Sequence, residues 1–129
     1  MEGKKRKNVR LYQPKVPQFT ATEKDGMLEK VKTLIQQLPK VSSSVSRMAM
    51  RANRIYLYKL VEQRMLTYIT EPLIDGKYLE FPYARLTLND TQGKNCTVDW
   101  QRHNEQWILV YTGTLSECLI YIEKDEVWF

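Results

Sequence analysis

The sequence predicts an α+β fold: an antiparallel meander of about five strands, preceded by an amphipathic helix and followed by a short one. Three observations point to it. Between Phe81 and Tyr111 apolar and polar residues alternate, with Ala84, Leu86 and Leu88 against Arg85 and Thr87, then Cys96, Val98 and Trp100 against Thr97, Asp99 and Gln101. A period of two gives each run one buried and one wetted face, as in an antiparallel sheet. Residues 27–38 and residues 115–122 repeat at helical spacing instead.

Taken in order, Met1 to Phe19 lacks periodicity, holds Pro14 and Pro17, and carries the run Lys4-Lys5-Arg6-Lys7. Such a run cannot bury itself, so residues 1–19 read as a basic arm and residues 20–129 as one α+β domain. Thr20 with Glu23, or Thr22 with Asp25, has the spacing of a capping box. Met27, Leu28, Val31, Leu34, Ile35 and Leu38 then form one apolar stripe, with Lys24, Lys30, Lys32 and Gln36 opposite. Pro39 is expected to stop this helix.

Val41 to Met50 alternates loosely, with Val41, Val45, Met48 and Met50 expected to be buried. Arg51-Ala52-Asn53-Arg54 reads as a turn, with Asn53 able to tolerate a left-handed conformation. Ile55 to Arg64 is a strand rich in β-branched and aromatic residues. It places Ile55, Leu57, Lys59 and Val61 on one face, and Tyr56, Tyr58, Leu60 and Glu62 on the other. Met65 to Leu79, broken by Pro72 and turned at Asp75-Gly76, reads as an irregular excursion with a small hairpin.

After the central alternation, Arg102 to Glu105 forms a hairpin tip, and Trp107, Leu109 and Tyr111 are expected to continue the buried rhythm. Thr114 and Glu117 make a second capping box, followed by Leu115, Cys118, Leu119 and Ile122 on one helical face. That helix is expected to end near Glu126, with Val127-Trp128-Phe129 running back onto the body.

Composition narrows the classes. The chain of 129 residues is long enough for one domain with a real core. It has no run of eighteen apolar residues, so no membrane span is expected. No secretory signal is evident. Two cysteines, Cys96 and Cys118, are too few for a disulfide framework, which points to a reducing, cytoplasmic compartment. The net charge of +5 conceals a gradient. Residues 1–15 hold six cations against Glu2, and residues 16–64 hold nine against four carboxylates. Residues 65–129 hold five cations against ten carboxylates. The first half is thereby suited to a polyanion, and the second either to a basic protein surface or to the chain's own basic half.

Catalytic equipment is sparse. His103, the only histidine, falls at a hairpin tip. One histidine and two cysteines 22 positions apart do not make a zinc site, and both cysteines fall on apolar faces as small core residues. Glu62, Glu80, Asp99 and Glu117 are the carboxylates a magnesium-dependent nuclease would draw on, but none has acidic-x-lysine spacing. No Gly-rich phosphate loop exists. No catalytic residue, metal ligand or cofactor is therefore assigned.

The order of features resembles a family of short bacterial proteins known as a domain of unknown function. The resemblance lies in the amphipathic helix, the strand Arg54-Ile55-Tyr56-Leu57-Tyr58-Lys59-Leu60-Val61-Glu62, and the stretch Phe81-Pro82-Tyr83-Ala84-Arg85-Leu86. It continues through a Trp-containing hairpin, Val98-Asp99-Trp100 to Gln106-Trp107, to the aromatic end Val127-Trp128-Phe129. It covers about residues 26–129, and it implies an architecture and no chemistry.

What remains is basic residues interleaved with aromatics. Lys4, Lys5, Arg6, Lys7, Arg10 and Lys15 in the arm, with Arg47, Arg51, Arg54 and Lys59 in and around one hairpin, are the candidate phosphate contacts. Tyr56 and Tyr58 either stack on unpaired bases or pack beneath a helix. The function expected is a non-catalytic nucleic-acid-binding accessory protein, RNA or DNA, in a ribonucleoprotein or DNA-processing assembly. The alternative is a protein-interaction adaptor docking through Tyr12, Phe19, Trp128 and Phe129, through an exposed sheet face or through the acidic C-terminal half, and a metal-dependent nuclease ranks third. The oligomeric state is left open.

Overall fold

The structure, a computed structural model, describes residues 16–62, 78–101 and 106–124. Helix α1 spans Ala21–Ile35, α2 Pro39–Ser44 and α3 Leu115–Lys124. Among the described residues five strands lie between α2 and α3: β1 Arg47–Arg51, β2 Arg54–Glu62, β3 Tyr78–Leu88, β4 Cys96–Gln101 and β5 Trp107–Gly113. Their order in the sheet is the order in the chain, and every neighbouring pair is antiparallel. The expected α+β meander is what forms.

Register shows where the core sits. Ile55 pairs with Leu86 and Leu86 with Val98, while Leu57 faces Ala84 and Leu88 faces Cys96. All of these are fully buried. They share a cluster with Met27, Val31 and Ile35 of α1, Val41 of α2, and Leu115, Cys118, Leu119 and Ile122 of α3. All three helices therefore cover one face of the sheet, because only that face is apolar enough to repay its burial.

Both expected caps form as reciprocal boxes. Thr20 Oγ1 accepts from the Glu23 amide at 3.1 Å while Glu23 Oε1 accepts from the Thr20 amide at 2.9 Å. Thr114 and Glu117 make the same exchange at 3.1 and 2.9 Å. Pro39 plays a different part from the one expected. Helix α1 ends at Ile35 in turns closed by Leu34 and Ile35 carbonyls, and Pro39 opens α2, where its missing N–H costs nothing. Leu38 has no side chain to cap α2. Glu123 of α3 does so instead, accepting from the amides of Lys40 at 3.2 Å and Val41 at 2.9 Å.

At the β1–β2 turn the left-handed residue is Ala52, with φ 51°, and not Asn53. Asn53 is buried, and its Nδ2 donates to the Leu88 carbonyl at 2.9 Å while its own carbonyl accepts from the Leu88 amide at 2.8 Å. Anchored to β3 in this way, Asn53 keeps ordinary dihedrals and leaves the positive φ to its neighbour. A positive φ at the first central residue alone is the requirement of a II′ hairpin loop.

Two bulges alter the alternation. Between β2 and β3 the register passes from Leu57↔Ala84 to Tyr58↔Pro82, which leaves Tyr83 as the extra residue. A proline inside a strand is tolerated at such an irregularity. Between β4 and β5 the register passes from Val98↔Tyr111 to Asp99↔Leu109, with Val110 as the extra residue. The expected run Trp107, Leu109, Tyr111 is thus split across the sheet. Tyr111 faces the helices and stacks on Tyr121 of α3 with centroids 4.7 Å apart, while Leu109 is 60% exposed. A one-residue insertion moves every residue beyond it to the opposite face.

Candidate functional site

The face of the sheet that no helix among the described residues covers carries the charged and aromatic residues. Cross-strand pairing places Arg47 opposite Tyr58, Ala49 opposite Tyr56, and Arg51 opposite Arg54. Tyr56 in turn faces Arg85, and Arg85 faces Asp99. Tyr56 and Tyr58 thus lie on the side opposite α1, α2 and α3, so packing beneath a helix is not their role. The alternation of β2 decides this, with Ile55 and Leu57 committed to the core.

Several of these groups are engaged with one another. Arg85 makes an ion pair with Asp99 at 2.7 Å, the two side chains only 14% and 11% exposed. Its guanidinium also lies 4.6 Å from the centre of the Trp107 ring. Trp107 meets Tyr56 edge-on, with centroids 5.9 Å apart and planes at 70°. Arg47 lies 3.9 Å from the Tyr58 ring centre and donates to Glu80 at 2.9 Å, a bond that raises its pKa. Glu80 also accepts from Ser46 Oγ, fastening the start of β1 to β3.

Arg51 and Arg54 are placed differently. Both are exposed, they sit directly opposite each other at the closed end of the β1–β2 hairpin, and neither has a carboxylate within ion-pairing distance among the described residues. Arg51 stands 5.8 Å from the Tyr56 ring centre. Lys59, the fourth candidate cation of the folded region, pairs with Phe81 on the opposite side of β2 and lies 4.9 Å from the Tyr83 ring centre. The fold therefore gathers Arg47, Arg51 and Arg54 on one face and sends Lys59 to the other. Trp107 and Arg85 join that face without having been singled out beforehand. Trp107 stood in a run expected to be buried, and only the β5 bulge and the pairing across β4 reveal where it lies.

Phe19 is partly buried against the core cluster, which engages its ring within the chain. The candidates Lys4, Lys5, Arg6, Lys7, Arg10, Tyr12, Lys15, Trp128 and Phe129 lie outside the described residues. So do the hairpin tip with His103 and residues 65–77 of the expected excursion, whose last two residues, Tyr78 and Leu79, instead open β3.

The described residues offer little material for catalysis. No three His, Cys, Asp or Glu among them stand together as metal ligands would. The Asp99 charge is already neutralised by Arg85. Cys96 and Cys118 are fully buried and unbridged, and the Cys118 thiol donates to the Cys96 carbonyl at 3.4 Å. The Cys96 thiol is pushed far up by its hydrogen bond with Cys118 and by burial, which suppresses the reactive thiolate. A shallow groove of about 330 Å³ between α1, α2 and β1 has neither a histidine nor a carboxylate in its lining. No helix among the described residues is long and apolar enough to cross a membrane.

Residues 17–129 match the model of a family described as a domain of unknown function, DUF3024, and the chain belongs to that family. The match begins earlier than the resemblance over about residues 26–129 suggested, taking in all of α1. No curated protein and no solved structure matches the chain.

Proposed function

We propose that this DUF3024 chain is a non-catalytic accessory protein that binds nucleic acid through the helix-free face of its sheet, as a small subunit of a ribonucleoprotein or DNA-processing assembly. One observation carries the reading: Arg51 and Arg54 face each other across β1 and β2 with no carboxylate beside them among the described residues. Like charges directly opposite destabilise a sheet. A polyanion laid across the hairpin turns that repulsion into attraction, and each phosphate neutralised releases counterions. The arm cations Lys4, Lys5, Arg6, Lys7, Arg10 and Lys15 would extend the same interaction along the backbone of the ligand. A eukaryotic source would give the same run a second use as an import signal.

The test is a titration of the full chain with labelled single-stranded and double-stranded oligonucleotides at several salt concentrations. Arg51→Ala and Arg54→Ala are each expected to weaken binding and to lower the slope of log affinity against log salt by roughly 0.7–0.9. Unchanged affinity in both variants, with all binding lost when Lys4, Lys5, Arg6 and Lys7 are replaced by Ala, would reduce the reading to a generic polycation effect.

The protein-adaptor reading also has an observation in its favour. Leu60, Val61 and Phe81 are 40%, 38% and 40% exposed on the part of β2 and β3 that extends past β4. Absence of nucleic-acid binding at low salt would put that reading first.

A further inference from the structure

We infer that the helix-free face takes an unpaired nucleic-acid strand, with Trp107 and Tyr56 as its base-stacking residues and the Arg85–Asp99 pair as the element that positions the indole. The inference rests on the nucleic-acid reading above and names the class of ligand.

Geometry disfavours a duplex. Reading a groove needs an element that can enter it, a helix or a two-stranded ribbon. The hairpin next to Arg51 and Arg54 cannot reach out, because Asn53 at its tip is buried and bonded both ways to Leu88 of β3. Helix α1 interleaves Glu23, Asp25 and Glu29 with Lys24, Lys30 and Lys32, so it offers no basic stripe for a phosphate backbone. Among the described residues the helix-free face is a sheet surface with two uncompensated cations at one end, too few to hold the double row of phosphates on a duplex.

An unpaired strand asks for what this face has: a few cations and π surfaces beside them. Tyr56 sits between Arg51, 5.8 Å from its ring centre, and Trp107, at 5.9 Å. Both rings are only half-buried, so both keep surface in solvent. The Trp107 ring is held rather than loose. Arg85 lies against it at 4.6 Å, and Arg85 is itself fixed by Asp99 through Nε at 2.8 Å and Nη2 at 2.7 Å. A ring held in advance loses less freedom when a base stacks on it. Phosphates then fall toward Arg51 and Arg54, and bases toward Tyr56 and Trp107.

The experiment measures affinities of the full chain for a short labelled oligouridylate, for the matching oligothymidylate, and for a duplex of equal length. Trp107→Leu and Tyr56→Leu keep apolar bulk without a π face, and circular dichroism and thermal melting confirm that each is folded. Should Trp107→Leu fail to fold, Tyr56→Leu carries the same test. Either single strand is expected to bind tighter than the duplex, and each Leu variant is expected to lose about 5- to 150-fold for single strands. Single-strand binding is also expected to quench tryptophan emission, and that quench to disappear in Trp107→Leu. Duplex binding as tight as single-strand binding, with no loss in either Leu variant but a loss in Arg51→Ala, would overturn this inference and leave the basic face standing. Indifference of every ligand to Arg51→Ala and Arg54→Ala would overturn both.

Discussion

Tyr56 and Trp107 stand on strands that are not neighbours, yet their rings meet with centroids 5.9 Å apart. Two strands separate β2 from β5, and adjacent strands lie about 4.8 Å apart. The rings therefore reach over β3 and β4, and Arg85 and Asp99 of those strands lie between them. A small aromatic layer thus shelters an ion pair on the face that the helices leave bare.

That shelter makes the pair sensitive to the loss of one partner. Asp99→Asn leaves the Arg85 guanidinium, only 14% exposed, without its counter-charge. Breaking a fully buried pair costs about 3–5 kcal/mol, and the residual exposure here lowers the expectation to about 2–3 kcal/mol. Urea denaturation measures this directly, and a loss below about 0.5 kcal/mol would show that solvent screens the pair as it does at a surface.

The Arg51–Arg54 juxtaposition predicts a trade between stability and binding. Arg54→Glu places opposite charges across the hairpin and is expected to raise stability by about 0.2–1 kcal/mol at low salt, shrinking as salt screens it. The same change is expected to weaken oligonucleotide binding more than Arg54→Ala does. A destabilised Arg54→Glu would mean that the arginines are accommodated without mutual cost.

Ala52 offers a test independent of function. Its φ of 51° costs a residue with a Cβ roughly 1–2 kcal/mol, whereas glycine adds about 0.4–1 kcal/mol of unfolded-chain entropy to be overcome. The first effect is the larger, so Ala52→Gly is expected to stabilise by about 0.5–1 kcal/mol, a rise of roughly 2–4 °C in melting temperature. Ala52→Val is expected to move the other way, since a β-branched side chain tolerates a positive φ poorly. A lower melting temperature for the glycine variant would contradict the left-handed assignment.

Asp90 sets a pH dependence. Partial burial works against its ionisation, but backbone amides of Lys94, Gln92, Gly93 and Asn95 outweigh that and hold its carboxyl below the usual range. Two of these bonds measure 2.8 Å from Gln92 and 3.0 Å from Lys94. Such a group binds fewer protons folded than unfolded. Its stabilisation is therefore complete above the unfolded value of about 3.9 and disappears as pH falls through the lower folded value. Asp90→Asn is expected to flatten the fall in stability below about pH 4 while leaving a smaller difference at neutral pH, because the amide oxygen still accepts. Identical acid limbs for the two proteins would remove Asp90 from the account.

Much of the fold was legible because its signals are local. Capping boxes at Thr20 and Thr114, the stripe through Met27, Val31 and Ile35, and the alternation of Ala84, Leu86 and Leu88 each act within a turn or a strand. The misreading at Leu109 has a distant cause, the bulge against β4, just as the cap that Glu123 gives α2 and the tie of Asn53 to Leu88 depend on partners far along the chain.

For the candidate site the division is sharper. Composition and order alone determined that cations and aromatics are interleaved through the β1–β2 region. Which of them share a face, which are neutralised by Glu80 and Asp99, and that Trp107 joins Tyr56 were decided only by strand register. Periodicity sorts residues into two faces of one strand, but it cannot say which face of a neighbouring strand they meet. That requires the antiparallel pairing, and a single inserted residue is enough to reverse it.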